Sequence, residues 1–189
     1  MAQRRTTALR PEQMSPDQRA LYDTMTNGPR AQGPQHFPLT DADGRLNGPF
    51  ADFLLSPPVG EALQEVGSAL RYRTGLTDRA REVAILLVAA RQDSAFERNS
   101  HEAIARALGM TASELEGLRA ERTTGLPEDE QLVGRTVLAL LDGDLDEETW
   151  RLARDHLGER TIFELTTLVG YYSTLALQMR VFRVDSAMG

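Results

Sequence analysis

The sequence predicts an all-α fold. Apolar residues recur at three- and four-residue spacing through most of the chain after residue 48, which is the pattern of helices that bury one face. Capping residues such as Thr77 and Thr111 precede these stretches, and Ser15 precedes an earlier helix. No segment shows the alternating pattern of a half-buried strand. With 189 residues, of which 41% are hydrophobic and 26% charged, the chain is long and apolar enough for one globular domain.

The N-terminal part is predicted to be a helix followed by an extended arm. Ser15 and Pro16 provide an N-cap and a proline at the first helical position, and this helix runs to about Met25. Glycines and prolines then interrupt residues 27–48, and a loop of that length typically serves as a lid, a binding segment or an oligomer arm. We therefore predict two regions: an N-terminal helix and extended arm over residues 1–47, and a helical domain over residues 48–189.

From Gly48 onward the pattern is helical almost throughout. A short turn over GPFADFLL comes first, and the helix capped by Thr77 contains the run EVAILLVAA, which is apolar on nearly every face. Such a helix is expected to be central and buried, which makes its Glu82 conspicuous. Helices are predicted over residues 58–73, 77–91, 94–109, 111–119, 128–141, 147–157 and 160–182.

One stretch of the C-terminal half has a weak sequence likeness to a stretch of the central half. EVAILLV from Glu82 and ELTTLVG from Glu164 each begin with an acid at the head of an apolar helix. Other pairs of apolar helices align as well as these two, so duplication and coincidence both stay open. In a true duplication, the second copy has Met179 and Arg183 where the first has Glu97 and His101, and it lacks their chemistry.

Charge and composition exclude several classes of protein. The formal net charge of −7 and the pI near 5.0 oppose a nucleic-acid partner, since phosphate binding requires clustered cations. The absence of cysteine excludes disulfides and thiol chemistry. The N-terminal segment lacks the apolar core of a secretory signal, and the apolar stretch 165–177 is shorter than the roughly 20 residues that span a bilayer. We expect a cytoplasmic protein that binds no membrane.

Glu97 and His101 are the main candidates for chemistry. Their i, i+4 spacing places both side chains on one helix face, and a turn at residues 92–93 would fold the helix carrying Glu82 back against that face. A carboxylate beside an imidazole raises the pKa of the ring, while burial lowers it. The balance can hold His101 in the range that general acid–base chemistry needs.

Two other interpretations of the same residues stay open. Ser94 and Glu97 have the spacing of a capping box, in which Glu97 would accept a hydrogen bond from the backbone of the cap residue. A carboxylate-rich metal site would use Glu82, Glu97 and His101, but the three histidines of the chain are scattered and no His-x3-His pair occurs. We expect neither a metal nor another cofactor.

The densest motif lies at residues 73–118, which read RTGLTDRAREVAILLVAARQDSAFERNSHEAIARALGMTASELEGL. Its parts are a helix beginning R-E-x-A-I-L, then E-x3-H, then A-x-x-x-G-[LM]-[ST]-x-x-E-[IL]. This pattern resembles the carboxymuconolactone decarboxylase family, and a looser likeness extends from about Leu46 to Phe182. The resemblance implies an all-α subunit that assembles as a homotrimer or hexamer.

The resemblance also implies roles for individual residues. In the related alkyl hydroperoxidase D-type branch, a C-x-x-C pair precedes the histidine as a peroxidase dithiol, and Ser94 and Glu97 stand at those positions here. Thiol peroxidase activity is therefore not expected. Glu82 and His101 match the acid and the histidine of that branch, and Glu97 with His101 matches the E-x3-H of the decarboxylase branch.

The function implied by the resemblance is cofactor-independent decarboxylation of a small lactone or keto acid through an enolate. In this hypothesis protonated His101 donates a proton or stabilises the enolate, Glu97 orients His101, and Glu82 sets its charge. The same groups would serve an isomerase, dehydratase or cyclase, and a non-catalytic oligomeric binding protein is a third interpretation. Family members often have an aromatic residue where this chain has Arg98, so a more polar pocket is expected. The predicted substrate-binding residues are Arg71, Arg73, Arg98, Tyr171 and Tyr172.

Overall fold

The computed structural model describes residues 4–28, 32 and 38–184. Within these ranges the chain forms nine α-helices and a short 3₁₀ turn at Pro11–Gln13, and its only β-type pairing is an isolated antiparallel bridge between Thr40 and Leu46. The predicted all-α fold is confirmed. The helices are α1 (Pro16–Asn27), α2 (Phe50–Phe53), α3 (Pro57–Tyr72), α4 (Asp78–Arg91), α5 (Ala95–Ala107), α6 (Ala112–Arg119), α7 (Glu128–Asp142), α8 (Glu147–His156) and α9 (Glu159–Phe182).

Most of the predicted helix ends are confirmed, because local capping chemistry fixes them. Four predicted cap residues accept a hydrogen bond from a backbone N–H of the first helical turn: Ser15 in α1, Thr77 in α4, Thr111 in α6 and Asp146 in α8. Residues 29–31 and 33–37 of the predicted arm lie outside the described residues. A lid or oligomer-arm role for residues 27–48 stays a prediction.

The helices group into two compact units. One unit contains the described residues up to Tyr72 together with those from Leu177 to Val184, and the other contains Arg73–Ala176. The predicted division between residues 1–47 and 48–189 stays a prediction. No helix in the described ranges combines the length and the apolar character needed to cross a bilayer.

In the first unit, α3 packs on α1 and α2. A Cβ at Gly60 would overlap the carbonyl oxygen of Phe53, so glycine is what allows α3 to approach the backbone of α2 this closely. In α2, the buried carboxylate of Asp52 accepts hydrogen bonds from Arg4 at 2.8 Å and from Thr6 at 2.7 Å. These bonds tie the N-terminal segment to α2.

In the second unit, α4 is the central helix. All its residues from Ala80 to Ala89 are buried, and it packs against α5, α6 and α7. A Cβ at Gly134 of α7 would overlap the methyl group of Thr123, so this glycine permits a close approach. The predicted burial of the EVAILLVAA run is confirmed, and it places Glu82 in the middle of the core.

Arginines anchor both ends of α4 to its neighbours. Arg79 donates to Glu130 at 2.7 Å and to Glu114 at 2.8 Å, which connects the start of α4 to α7 and α6. Arg91, at the other end, pairs with Glu121 and Asp142. The position of α4 is thus fixed by charged hydrogen bonds at its ends and by apolar packing between them.

The two acids of the predicted repeat have different surroundings. Glu82 is fully buried, whereas the half-buried Glu164 accepts hydrogen bonds from the Gly75 N–H and from Arg160. Glu164 therefore secures the loop before α4 to α9. An internal duplication stays a prediction.

Candidate active site

Three buried side chains from α4 and α5 meet in the second unit. Nδ1 of His101 lies 2.6 Å from Glu82 Oε2, and Nε2 of the same ring lies 3.3 Å from Glu97 Oε2. The exposed fractions of Glu82, Glu97 and His101 are 0%, 4% and 4%. The imidazole is therefore held between two carboxyl groups, one at each ring nitrogen. The structure brings together the three residues that the sequence proposed as catalytic, and their catalytic role stays a prediction.

The turn between α4 and α5 produces this contact. The Ser94 N–H donates to the carbonyl oxygen of Ala89 at 2.9 Å, and Asp93 adopts a left-handed conformation with φ of 48°. A left-handed residue after a helix reverses the chain direction within one turn. As a result α5 folds back along α4, and the face bearing Glu97 and His101 meets the core acid.

Two opposing effects determine the pKa of His101. Burial lowers the pKa, because an imidazolium is poorly solvated in the interior. The charge and hydrogen bond of Glu82, and then those of Glu97, raise it, and together they bring the pKa of His101 to about 9. His101 is therefore protonated at neutral pH, and a proton is stored between two buried carboxyl groups.

Only one of the two carboxylate oxygens of Glu82 contacts His101. Glu82 Oε1 is buried and lacks a hydrogen bond in the described part of the chain. Leaving a buried acceptor unpaired costs about 1–3 kcal/mol, so such atoms are few, and Asp52 Oδ2 of the first unit is another. The unpaired oxygen is consistent with a site whose acid is present for chemistry.

Two tyrosines of α9 form an aromatic wall beside the cluster. The rings of Tyr172 and His101 are perpendicular, at 86°, with centroids 5.4 Å apart. Tyr171 packs against Tyr172 in the same edge-to-face manner at 5.3 Å. Both tyrosines are buried. Of the predicted substrate-binding residues, Tyr172 contacts the triad directly and Tyr171 contacts Tyr172.

The predicted substrate-binding arginines lie in more exposed positions. Arg98 shares α5 with the triad, but its nearest described acid is Asp93, 3.8 Å away and almost fully exposed. Arg73 is exposed at the start of the second unit. Arg71 belongs to the first unit, where its guanidinium lies 5.8 Å from the centre of the Tyr72 ring. Substrate binding by these arginines stays a prediction.

The capping interpretation of Ser94 and Glu97 is wrong. Ser94 is the N-cap residue of α5, but its side chain makes no capping hydrogen bond, and the Glu97 carboxylate contacts His101 instead. A buried imidazolium competes better for a carboxylate than a backbone amide does, because both partners are charged. At α6, Thr111 and Glu114 make both bonds of the predicted capping box, and Glu114 also accepts a hydrogen bond from Arg79 through its other carboxylate oxygen.

The contacts of the two glutamates with His101 do not have the arrangement of a metal site. Glu82 and Glu97 approach different nitrogens of one ring, so the two carboxylates and the imidazole do not converge on a common point. Among the described residues, no group of three or more acidic or histidine side chains is arranged to hold a metal ion.

The helical fold and the buried Glu–His–Glu cluster define an all-α protein with a candidate acid–base site. Residues 57–125 match the sequence profile of the Carboxymuconolactone decarboxylase family. This match confirms the family resemblance predicted from the sequence, and the matching region includes Glu82, Glu97 and His101. No curated protein sequence matches the chain significantly.

Solved structures share the fold at low sequence identity. One is the alkylhydroperoxidase AhpD core of an uncharacterized peroxidase-related protein from Ralstonia eutropha, with TM-score 0.75 and 13% identity over 96% of this chain and 91% of that one. An uncharacterized peroxidase-related protein from a Silicibacter species gives TM-score 0.72 and 11% identity over the same shares. The debrominase Bmp8, a cysteine-to-alanine variant in complex with 2,3,4-tribromopyrrole, gives TM-score 0.72 and 12% identity over 99% and 93%.

Proposed function

We propose that the chain is a cofactor-independent lyase that decarboxylates a small lactone or keto acid through an enolate. The observation that carries this proposal is the contact of buried His101 with Glu82 at one ring nitrogen and with Glu97 at the other. A proton held at a defined place in a water-poor site is what carbanion chemistry requires. The family match over residues 57–125 supports the same class of reaction.

The proposed reaction has two steps. In the first, the bond between the carboxyl carbon and its neighbouring carbon breaks, carbon dioxide leaves, and the electron pair moves to the adjacent carbonyl to form an enolate. In the second, that carbon takes a proton from the site, and the enolate electron pair forms the new C–H bond. Hydrogen-bond donors at the enolate oxygen would stabilise the first transition state by about 3 kcal/mol each.

The contact distances support an order of proton transfer in which Glu97 faces the substrate. Both nitrogens of His101 are occupied by carboxyl groups, so the ring has no free nitrogen to offer. The 2.6 Å contact to Glu82 fixes the ring, whereas the 3.3 Å contact to Glu97 is long enough to exchange partners. We therefore assign orientation of the ring to Glu82, proton exchange with carbon to Glu97, and reprotonation of Glu97 to His101. This assignment differs from the hypothesis based on the sequence, in which Glu97 orients the ring.

The remaining parts of the proposal concern substrate and assembly. Arg98 would hold a substrate carboxylate, since its described ion pair with Asp93 is long at 3.8 Å. Tyr171 and Tyr172 would form one wall of the pocket. Arg71 and Arg73 stay proposed carboxylate ligands from the sequence. A homotrimer or hexamer in the cytoplasm, as the resemblance and composition suggest, completes the proposal.

A second candidate is an isomerase, dehydratase or cyclase that acts on an uncharged carbonyl compound. It is favoured by one observation: among the described residues, no arginine pairs with Glu82 or Glu97. A substrate carboxylate beside Glu97 would bring a third acid to a cluster that already has two. An uncharged substrate avoids this repulsion, and Glu97 would then remove a proton from carbon before returning it elsewhere.

The test is turnover of a panel of lactone acids, β-keto acids and uncharged lactones and ketones. The variants are Glu97→Gln and His101→Gln, and the matched control is Glu102→Gln, which alters a neighbouring buried acid that binds Arg106 and Arg119. We expect the two site variants to lose about 100- to 10,000-fold in kcat, as for the loss of a general acid or base. The Glu102 control should retain turnover.

Carbon dioxide release would identify the lyase, and turnover of uncharged substrates alone would identify the second candidate. Peroxide reduction with a thiol reductant is assayed beside them. We expect none, because the chain has no cysteine to form a catalytic dithiol. A panel that stays inert with the wild-type protein would favour the non-catalytic binding protein and contradict the proposed function.

A further inference from the structure

We propose that Ser94 and the N-terminus of α5 bind the carbonyl oxygen of the substrate and hold its negative charge when the enolate forms. This rests on the proposed function and adds a catalytic residue to it. The class of ligand is a carbonyl compound, or an anion that resembles its enolate. Three observations on α5 carry the proposal.

The first observation is the state of the Ser94 hydroxyl. Ser94 is 8% exposed, and its side chain makes no capping hydrogen bond and no other hydrogen bond within the described residues. Ser94 Oγ is not one of the fully buried side-chain oxygens that lack a partner, so it keeps some access to solvent and is open to a ligand. A ligand oxygen at this position would supply the missing partner.

The second observation is that the first turn of α5 has no side-chain cap. The backbone N–H of Glu97, which would donate to a capping serine, makes no hydrogen bond to the Ser94 side chain, and the Glu97 side chain contacts His101. The N-terminus of a helix favours a negatively charged group through its unpaired N–H groups and its dipole. In the same unit Thr111 caps α6 and Thr77 caps α4, whereas α7 follows Pro127, whose side chain has no capping group.

The third observation is the register of these groups. Glu97 and His101 lie on one face of α5, and the cap residue Ser94 precedes them at the matching i, i+3, i+7 spacing. With a rise of 1.5 Å per residue, Ser94 lies roughly 4.5 Å from Glu97 along the helix axis and roughly 10 Å from His101. A carbonyl oxygen bound at Ser94 therefore brings the neighbouring carbon toward Glu97, and His101 lies behind Glu97.

The charges balance in this arrangement. When Glu97 removes a proton, the C–H bond breaks, an O–H bond forms on Glu97, and the electron pair moves through the new C=C bond to the oxygen at Ser94. One negative charge leaves Glu97 as one forms at the helix N-terminus, so the total charge of the site is unchanged. In the decarboxylation, the same oxygen receives the electron pair of the broken C–C bond.

The test uses 4-nitrophenolate as a probe, because its charged oxygen is conjugated to carbon as in an enolate. Binding to the wild-type protein, Ser94→Ala, Ser94→Thr and Thr111→Ala is measured by absorbance titration. Thr111→Ala is the matched control, because it removes a hydroxyl that does cap its helix. We expect Ser94→Ala to weaken binding about tenfold or more, as for a hydrogen bond to a charged acceptor, and Ser94→Thr and Thr111→Ala to bind like wild type. Circular dichroism checks that each variant is folded.

Equal affinity of wild type and Ser94→Ala, or no binding by wild type, would overturn the inference. The substrate panel separates it from the proposed function. Probe binding that depends on Ser94 in a protein with no turnover supports the oxyanion site while the proposed function fails. Turnover that Glu97→Gln abolishes and Ser94→Ala leaves at the wild-type kcat sustains the proposed function and refutes the role of Ser94.

Discussion

Nδ1 of His101 and Oε2 of Glu82 lie 2.6 Å apart although the two residues are 19 positions apart in the chain. Glu82 is the acid at the centre of the most buried helix, and His101 is on the helix that folds back against it. A contact this short between buried groups couples the charge of the ring to the stability of the fold. The chemistry of the site and the packing of α4 on α5 are therefore measurable through the same residue.

The first prediction concerns which of the two glutamates raises the pKa of His101 more. Glu82 contributes more than Glu97 to the raised pKa of His101. We expect Glu82→Gln to lower the pKa of His101 further than Glu97→Gln does, because it removes the larger favourable charge. Titration of the His101 ring signals by NMR measures both variants. A larger effect of Glu97→Gln would mean that the closer partner is not the stronger one.

The second prediction concerns stability and pH. The pKa of His101 in the folded protein is about 9, above the ordinary value of 6.5, so the folded state binds the proton more tightly than the unfolded state does. The resulting stabilisation is fully present below pH 6.5 and is lost as the pH rises through 9. We expect the free energy of unfolding to fall by about 3 kcal/mol over this range.

Urea unfolding at a series of pH values measures this fall, with Glu82→Gln for comparison. The variant should show a smaller fall, since His101 has lost its main anionic partner. A wild-type protein whose stability stays level or rises between these pH values would contradict the buried imidazolium.

The third prediction separates a true cap from Ser94. Thr111 accepts a hydrogen bond from the Glu114 amide, so Thr111→Ala should lower the free energy of unfolding by about 1 kcal/mol. Ser94→Ala removes no capping bond and should cost clearly less. Thermal unfolding compares the two variants. If Ser94→Ala is the more destabilising change, Ser94 caps α5 after all.

The fourth prediction tests the packing of the second unit with two glycines in helices. A Cβ at Gly134 would overlap Thr123, so Gly134→Ala should destabilise the fold by about 1–3 kcal/mol. A Cβ at Gly170 of α9 meets nothing within 4 Å, and Gly170→Ala should stabilise by up to about 1 kcal/mol through helix propensity alone. Urea unfolding of both variants gives the comparison, and effects of the same sign would show that α7 is packed differently.

The helical framework was predictable because its signals are local. Thr111 and Glu114 predict the start of α6, and Asp146 predicts the start of α8. The unbroken apolar run around Glu82 indicates a buried helix. These features depend on residues a few positions apart. The same holds for the shared face of Glu97 and His101, which follows from one turn of helix.

The outcome at Ser94 and Glu97 could not be predicted in this way. Their spacing is that of a capping box, and only the approach of α4 shows that a buried imidazolium claims the Glu97 carboxylate. The nitrogen at which each acid binds is likewise a property of the folded core. One sequence feature does point toward this outcome, namely the i, i+3, i+7 spacing of Ser94, Glu97 and His101. When Glu97 belongs to a buried cluster with His101, the cap residue Ser94 loses Glu97 as its capping-box partner.

The proton exchange by Glu97 is tested most directly by proton NMR in heavy water. Deuterium incorporation next to the carbonyl is followed in the substrate panel with wild type, Glu97→Gln and Glu102→Gln. We predict that wild type and Glu102→Gln place deuterium at that carbon, and that Glu97→Gln does so at least about 100-fold more slowly. Incorporation by Glu97→Gln at the wild-type rate would contradict the assignment of Glu97 as the group that exchanges the proton.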